Sequence, residues 1–305
     1  MYLCITNLAK MDQQQKTNVQ KVRSYRGILS EGLHLYINAF RKFFKASWLT
    51  ALVYALINAA VCTLTAVKVP ELILVIQLQL QRFNGIIIET LQPYIVTLAE
   101  CAILIIAVVI ASALAQGTIF ALLKEHSETN EIPMPASWWK PSKRLMGRTL
   151  KGVLFTSLLL SICIPTLLLI PFTLPLFYVI TKYILEPNTS YWSTLKKNYG
   201  RGMGHWGSLF LVYFLTSLFI VLAGMIIMLP AHILYLANYR AQMGVLIGDP
   251  LGMPSYMLPM TFVTFVLCSF LYFYSCLPLL INGYYAYGAI EAKELEHEQQ
   301  KLDLV

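Results

Sequence analysis

Apolar residues along this chain come in long unbroken runs, and short segments rich in basic and aromatic side chains divide them. Residues 49–67 carry no charged side chain, and neither do 207–229 or 257–282; residues 94–122 carry one, Glu100. Runs of about 18 residues or more cross the ~30 Å hydrocarbon core as helices. The pattern predicts an all-α polytopic membrane protein with spans near 47–67, 94–122, 207–229 and 257–282. The last of these is able to run on as helix past Tyr284, Tyr285 and Tyr287, aromatic residues of the headgroup belt.

The segment 152–186 is too long for one span and short for two, and it carries Pro165, Pro171 and Pro175. A tight hairpin near Pro171 makes two spans, 152–170 and 172–186, and six in all. A single broken helix makes five. Charge chooses between them. With six spans, 20 of the 23 Lys and Arg residues share one side, and only Lys68, Arg82 and Arg240 lie opposite. With five, everything after residue 182 changes sides and the split falls to 15 against 8. Basic residues stay on the cytoplasmic side of bilayers, so the hairpin is expected, with three helical hairpins and both termini cytoplasmic. The spans form one integral domain over 1–305, with a flexible segment 1–28 and a solvated tail 291–305.

The segments leading into the spans have a pattern of their own. In LSEGLHLYINAFRKFFKASW, Leu33, Tyr36, Ile37, Phe40, Phe43 and Phe44 recur at helical spacing beside Arg41, Lys42 and Lys45. That predicts an amphipathic helix on the cytoplasmic face, in contact with anionic lipid. SYWSTLKKNYGRGMGHW precedes the fifth span in the same way. Setting Trp206 on Trp48 places Leu195 on Ile37 and Asn188 on Ser30 without a gap, a hint of an internal repeat. SWWKPSKRLMGRTLK repeats the theme at 137–151. On the far side, Pro70 and Glu71 suit a helix start, yet IQLQLQ alternates with period two, so 68–92 reads as a short helix or a strand. The Gly- and Pro-rich stretch 230–256 reads as irregular.

Composition excludes more than it identifies. Hydrophobic residues make up 57% and charged residues 12%, with a mean hydropathy of +0.63; soluble domains carry roughly 25% charged residues. The net charge of +8 sits at span ends, which does not suit nucleic-acid binding. Six cysteines show no CxxC pair, and five lie in apolar spans, so neither a disulfide framework nor zinc is expected. The five histidines are scattered, without HExxH, and no phosphate loop or GxSxG occurs. No metal, cofactor or catalytic set follows. The N-terminus lacks the basic and apolar regions of a signal peptide, and Met11 is an alternative start. The NTS at Asn188 falls on the cytoplasmic side, where glycosylation does not reach.

From Pro175 to Trp206 the chain resembles the cytoplasmic loop of a broad bacterial six-span membrane family. That family includes the membrane domain of some glycerophosphodiester phosphodiesterases and free-standing relatives without assigned activity. Glu186, Ser190, Thr194, Leu195, Asn198 and Trp206 fill the places of its degenerate motif, and GLHLYINAFRKFFKASW is similar to its entry segment. The resemblance implies a fold and a cytoplasmic-membrane location. The phosphodiesterase activity belongs to a separate barrel of about 250 residues, for which this chain has no segment.

Glu100 is the sharpest candidate for chemistry. An ionisable residue inside a span is costly and by default functional. Ala107, Ala111 and Ala115 lie within about 60° of it on the helical wheel, a small-residue stripe that predicts a face turned into the bundle. It reads as a proton or cation site, or as a structural carboxylate hydrogen-bonded near the interface. Asn58, Gln116 and Asn282 are the other polar groups singled out within spans, each read first as glue between helices. The leading functional expectation is a non-enzymatic membrane protein with a structural, assembly or envelope-maintenance role, meeting the bilayer and a membrane-protein partner or a second copy of itself. A small transporter using Glu100, motivated by the three prolines, and a lipid-modifying protein are the alternatives.

Overall fold

The computed structural model describes residues 19–83, 92, 94–129, 131–132, 139–163, 172–186, 189–248, 252 and 254–303. Every long element among them is an α-helix: α1 (Tyr25–Phe83), α2 (Ile95–Thr129), α3 (Trp139–Cys163), α4 (Leu174–Leu185), α5 (Tyr191–Gly204), α6 (Trp206–Ile247), α7 (Met257–Ser275) and α8 (Leu277–Asp303). Four stretches are long and apolar enough to cross a membrane: Tyr25–Gln81, Ile95–Thr129, Trp206–Ile247 and Met257–Asp303, the last taken across the turn at Cys276. The chain is thus all-helical where described and built for a bilayer. The expected third and fourth spans fall on α3 and α4. At 12 residues, α4 is about 18 Å long, shorter than the hydrocarbon core. The hairpin turn near Pro171, together with Pro165, Asn188 and residues 1–18, lies outside the described residues.

Several boundaries differ from the sequence reading. The amphipathic lead-in and the first span are one helix, because no Gly or Pro interrupts the chain between Gly32 and Pro70. Pro70 does not start a helix; it lies inside α1, which runs on to Phe83. The alternation of IQLQLQ therefore sits on a helix, where the continuing backbone hydrogen bonds override a short period-two pattern. Pro230 likewise sits inside α6, and residues 230–247 are helical rather than irregular. Irregular chain begins only at Gly248, whose φ of 103° suits glycine. The sixth span breaks at Cys276. Pro278 lacks a backbone N–H and its ring would crowd the carbonyl four residues back, so the helix restarts with proline in its first turn.

The proposed repeat also parts company. Where α1 carries Lys42, Phe44 and Ala46, the later segment carries Gly200, Gly202 and Gly204, and α5 ends at Gly204 with a turn at His205. Three glycines in the last five residues withdraw helix propensity.

The described chain forms two compact units. One takes residues up to Ser47, Gln116–Phe219 and Cys276 onward; the other takes Trp48–Ala115 and Ile220–Ser275. In the first, α4 is buried on nearly every side and packs against α3, α5 and α8. Gly202 makes room for this: a β-carbon there would stand 2.9 Å from that of Pro175. In the second, Ala59, Ala231, Phe265 and Cys268 form a core, and Gly224 admits the Tyr272 ring, 2.7 Å from where a β-carbon would be. Small residues of this kind let helices approach where no water drives association. Val221, Leu222, Met225, Ile226 and Leu229 are exposed on the same unit, an apolar surface of the kind that marks a membrane contact.

Candidate functional site

Sequence candidates divide between the units. Asn58 and Glu100 belong to one; Gln116 and Asn282 belong to the other. Asn58 donates from its amide to the Ser269 hydroxyl at 2.9 Å, joining α1 to α7. Glu100 is exposed, against the expectation that it faces the bundle, while Ala111 and Ala115 of the same stripe are buried. A wheel position tells which residues share a stripe, not whether a neighbour covers that stripe at each height. Glu100 has no hydrogen bond or ion pair among the described residues. In the other unit, Asn282 donates to Thr216 at 2.8 Å, and Gln116 lines a cavity.

The strongest concentration of charge escaped the sequence reading. Lys182, on buried α4, lies 2.6 Å from a Glu291 carboxylate oxygen of α8 and 3.6 Å from Glu186. The hydroxyl of Tyr178 also donates to Glu291, and that of Tyr287 donates to Glu186 at 2.9 Å. Below it, Arg201 of α5 reaches Glu294 at 3.5 Å and Glu298 at 3.3 Å, and His205 lies 3.4 Å from Glu294. The segment from Glu291 to Glu294, expected to be solvated tail, is therefore docked. The only sequence signal was the helical i, i+4 spacing of Lys182 and Glu186; Glu291 is 109 residues away.

Arg148 of α3 closes the same C-terminal end of α4 through its backbone. Its Nε donates to the Tyr183 carbonyl at 3.0 Å and its Nη2 to those of Glu186 at 2.7 Å and Thr189 at 3.1 Å, with the guanidinium 4.1 Å above the Tyr183 ring. A cation there satisfies carbonyls that a helix end leaves open. The motif residues of the family resemblance are used similarly. Ser190 caps α5 by accepting from the Ser193 amide, and the buried Thr194 and Asn198 donate to carbonyls one turn back at 2.9 Å. Burial pushes the Tyr191 phenol up; its hydroxyl shares a hydrogen bond of 3.2 Å with Thr156.

The cavity lies in the same unit. It has a volume of about 200 Å³ and is lined by Gln116 and Phe120 from α2, Val153, Thr156 and Ser157 from α3, Phe177, Ile180 and Thr181 from α4, Tyr213 from α6, and Leu279, Leu280 and Gly283 from α8. No charged side chain is among these lining residues. The Tyr213 ring packs against Phe177 with centroids 5.0 Å apart.

No family model matches this sequence, and no curated protein or solved structure is significantly similar to it. Any functional reading therefore rests on the geometry above and on the sequence.

Proposed function

We propose that this chain is a six-span protein of the bacterial cytoplasmic membrane with both termini inside, and that its role is structural, in assembly or maintenance of the envelope, rather than enzymatic. The observation that carries this is Lys182. A cation on the most enclosed helix is held by two carboxylates, one just past the end of its own helix and one on α8, so this buried charge serves to join helices. Arg148, Asn58 and Asn282 are used the same way.

The orientation is supported by the split of 20 cations against 3. On α1, Leu33, Ile37, Phe40 and Phe44 form an exposed apolar ridge beside Arg41 and Lys45; on α5, Trp192 is exposed near Lys196 and Lys197. Aromatic and basic ridges of this sort suit the anionic inner leaflet. In the six-span reading α3 and α4 form the short central hairpin, its α4 arm shielded from lipid by neighbouring helices.

A carrier reading has one observation in its favour, the exposed carboxylate of Glu100 on an apolar helix. Proteoliposomes separate the two. In the assembly reading Glu100→Gln leaves passive proton and cation flux at the level of protein-free vesicles, as does the wild type, and capture in mild detergent recovers a reproducible partner. A wild-type flux that Glu100→Gln abolishes, with folding intact, would establish the carrier instead.

A further inference from the structure

The cavity between α2, α3, α4, α6 and α8 contains a donor with nothing to donate to. Tyr213 is 5% exposed, its hydroxyl faces the cavity, and it makes no hydrogen bond among the described residues. A hydroxyl turned to open space in a largely apolar wall, with no described protein group accepting from it, points to a ligand group that does. Gly283 keeps the space open: a β-carbon at that position would stand 2.9 Å from the Tyr213 oxygen and 3.7 Å from Thr181 Oγ1. The Thr181 hydroxyl already donates to the Phe177 carbonyl at 2.9 Å, leaving its lone pairs as acceptors. The Gln116 side chain adds an amide that donates and accepts.

Around these groups the wall is apolar, and no Lys, Arg, His, Asp or Glu is among the lining residues. A phosphate or free carboxylate placed here would lack a counter-charge, and burying an unpaired anion is prohibitive. The matching chemistry is an uncharged carbonyl attached to a hydrocarbon body. We propose that the cavity binds an ester-linked acyl group of a membrane glycerolipid, with the ester carbonyl on Tyr213 and the first methylenes against Phe177 and Leu279. About 200 Å³ holds one ester and a few methylenes, so the remainder of the lipid, any headgroup included, lies outside the cavity. This goes beyond the assembly role and stands without it.

The test uses the full-length protein in nanodiscs containing a trace of diacylglycerol, or separately of phosphatidylglycerol, with a diazirine next to the ester of one acyl chain. After irradiation, labelled peptides are mapped by mass spectrometry. Labelling is expected on peptides carrying Phe177, Tyr213 and Leu279 with both lipids. Tyr213→Phe keeps the ring packing and should cut it about five-fold, the worth of one hydrogen bond. Gly283→Ala, which fills the space beside the hydroxyl, should abolish it. Labelling absent from these peptides, labelling by phosphatidylglycerol alone, or labelling unchanged in Tyr213→Phe would each overturn the proposal. Tyr213→Phe keeps the test decisive if Gly283→Ala fails to fold.

Discussion

The amide oxygen of Asn282 lies 1.9 Å from where a β-carbon on Gly32 would stand. The same side chain donates to Thr216 at 2.8 Å, so it bridges α8 to α6 while filling the notch that glycine leaves in α1. Asn282 cannot turn away without losing its bond.

Gly32→Ala is accordingly expected to destabilise the protein by about 1–3 kcal/mol, the usual cost of overpacking a close contact. Thermal unfolding in detergent measures it. Combining Gly32→Ala with Asn282→Ala should cost less than the sum of the two single changes, because the clash disappears with the amide. Additive losses would show that the two residues act independently.

Glu291→Gln leaves Lys182 with Glu186 alone as a charged partner. Breaking one side of a buried ion pair costs about 3–5 kcal/mol, whereas replacing both sides with apolar groups of similar size is far milder. Lys182→Met with Glu291→Leu should therefore be more stable than Glu291→Gln alone. Chemical unfolding followed by helical circular dichroism would reveal the reverse order if the pair were incidental.

A cysteine at position 200 tests the threading. Gly200 is exposed, and a β-carbon there meets nothing within 4 Å, so Gly200→Cys should not disturb the fold. In intact cells an impermeant thiol reagent is expected to leave this cysteine unlabelled until the membrane is opened. Labelling from outside would restore five spans.

Asn58 and Ser269 are expected to couple weakly. Hydrogen bonds between membrane helices average about 0.6 kcal/mol and reach about 1.7, so a double-mutant cycle of Asn58→Ala and Ser269→Ala should give an interaction energy in that range. A coupling near zero would assign the 2.9 Å contact no energetic role.

Helical class and membrane-length apolar stretches were legible from the residues alone. Asn58 and Asn282 stood out in the sequence as polar groups within spans, and each hydrogen-bonds a hydroxyl on another helix. Helix ends were less legible. Pro70 and Pro230 looked like boundaries and are interior, whereas Pro278 lies in the first turn of a helix. A proline removes one hydrogen bond wherever it falls, and whether the helix resumes depends on what packs beside it.

Apolar length and cation placement are sums over neighbouring residues, so the sequence by itself determined that this is a helical chain suited to a bilayer and favoured one threading of it. Tertiary structure alone decided that Lys182 meets Glu291, that Glu100 is exposed, and that Tyr213 and Gly283 border a cavity. Those relations join residues tens to more than a hundred positions apart, and close approach of that kind is set by which helix faces pack together, a property no local window contains.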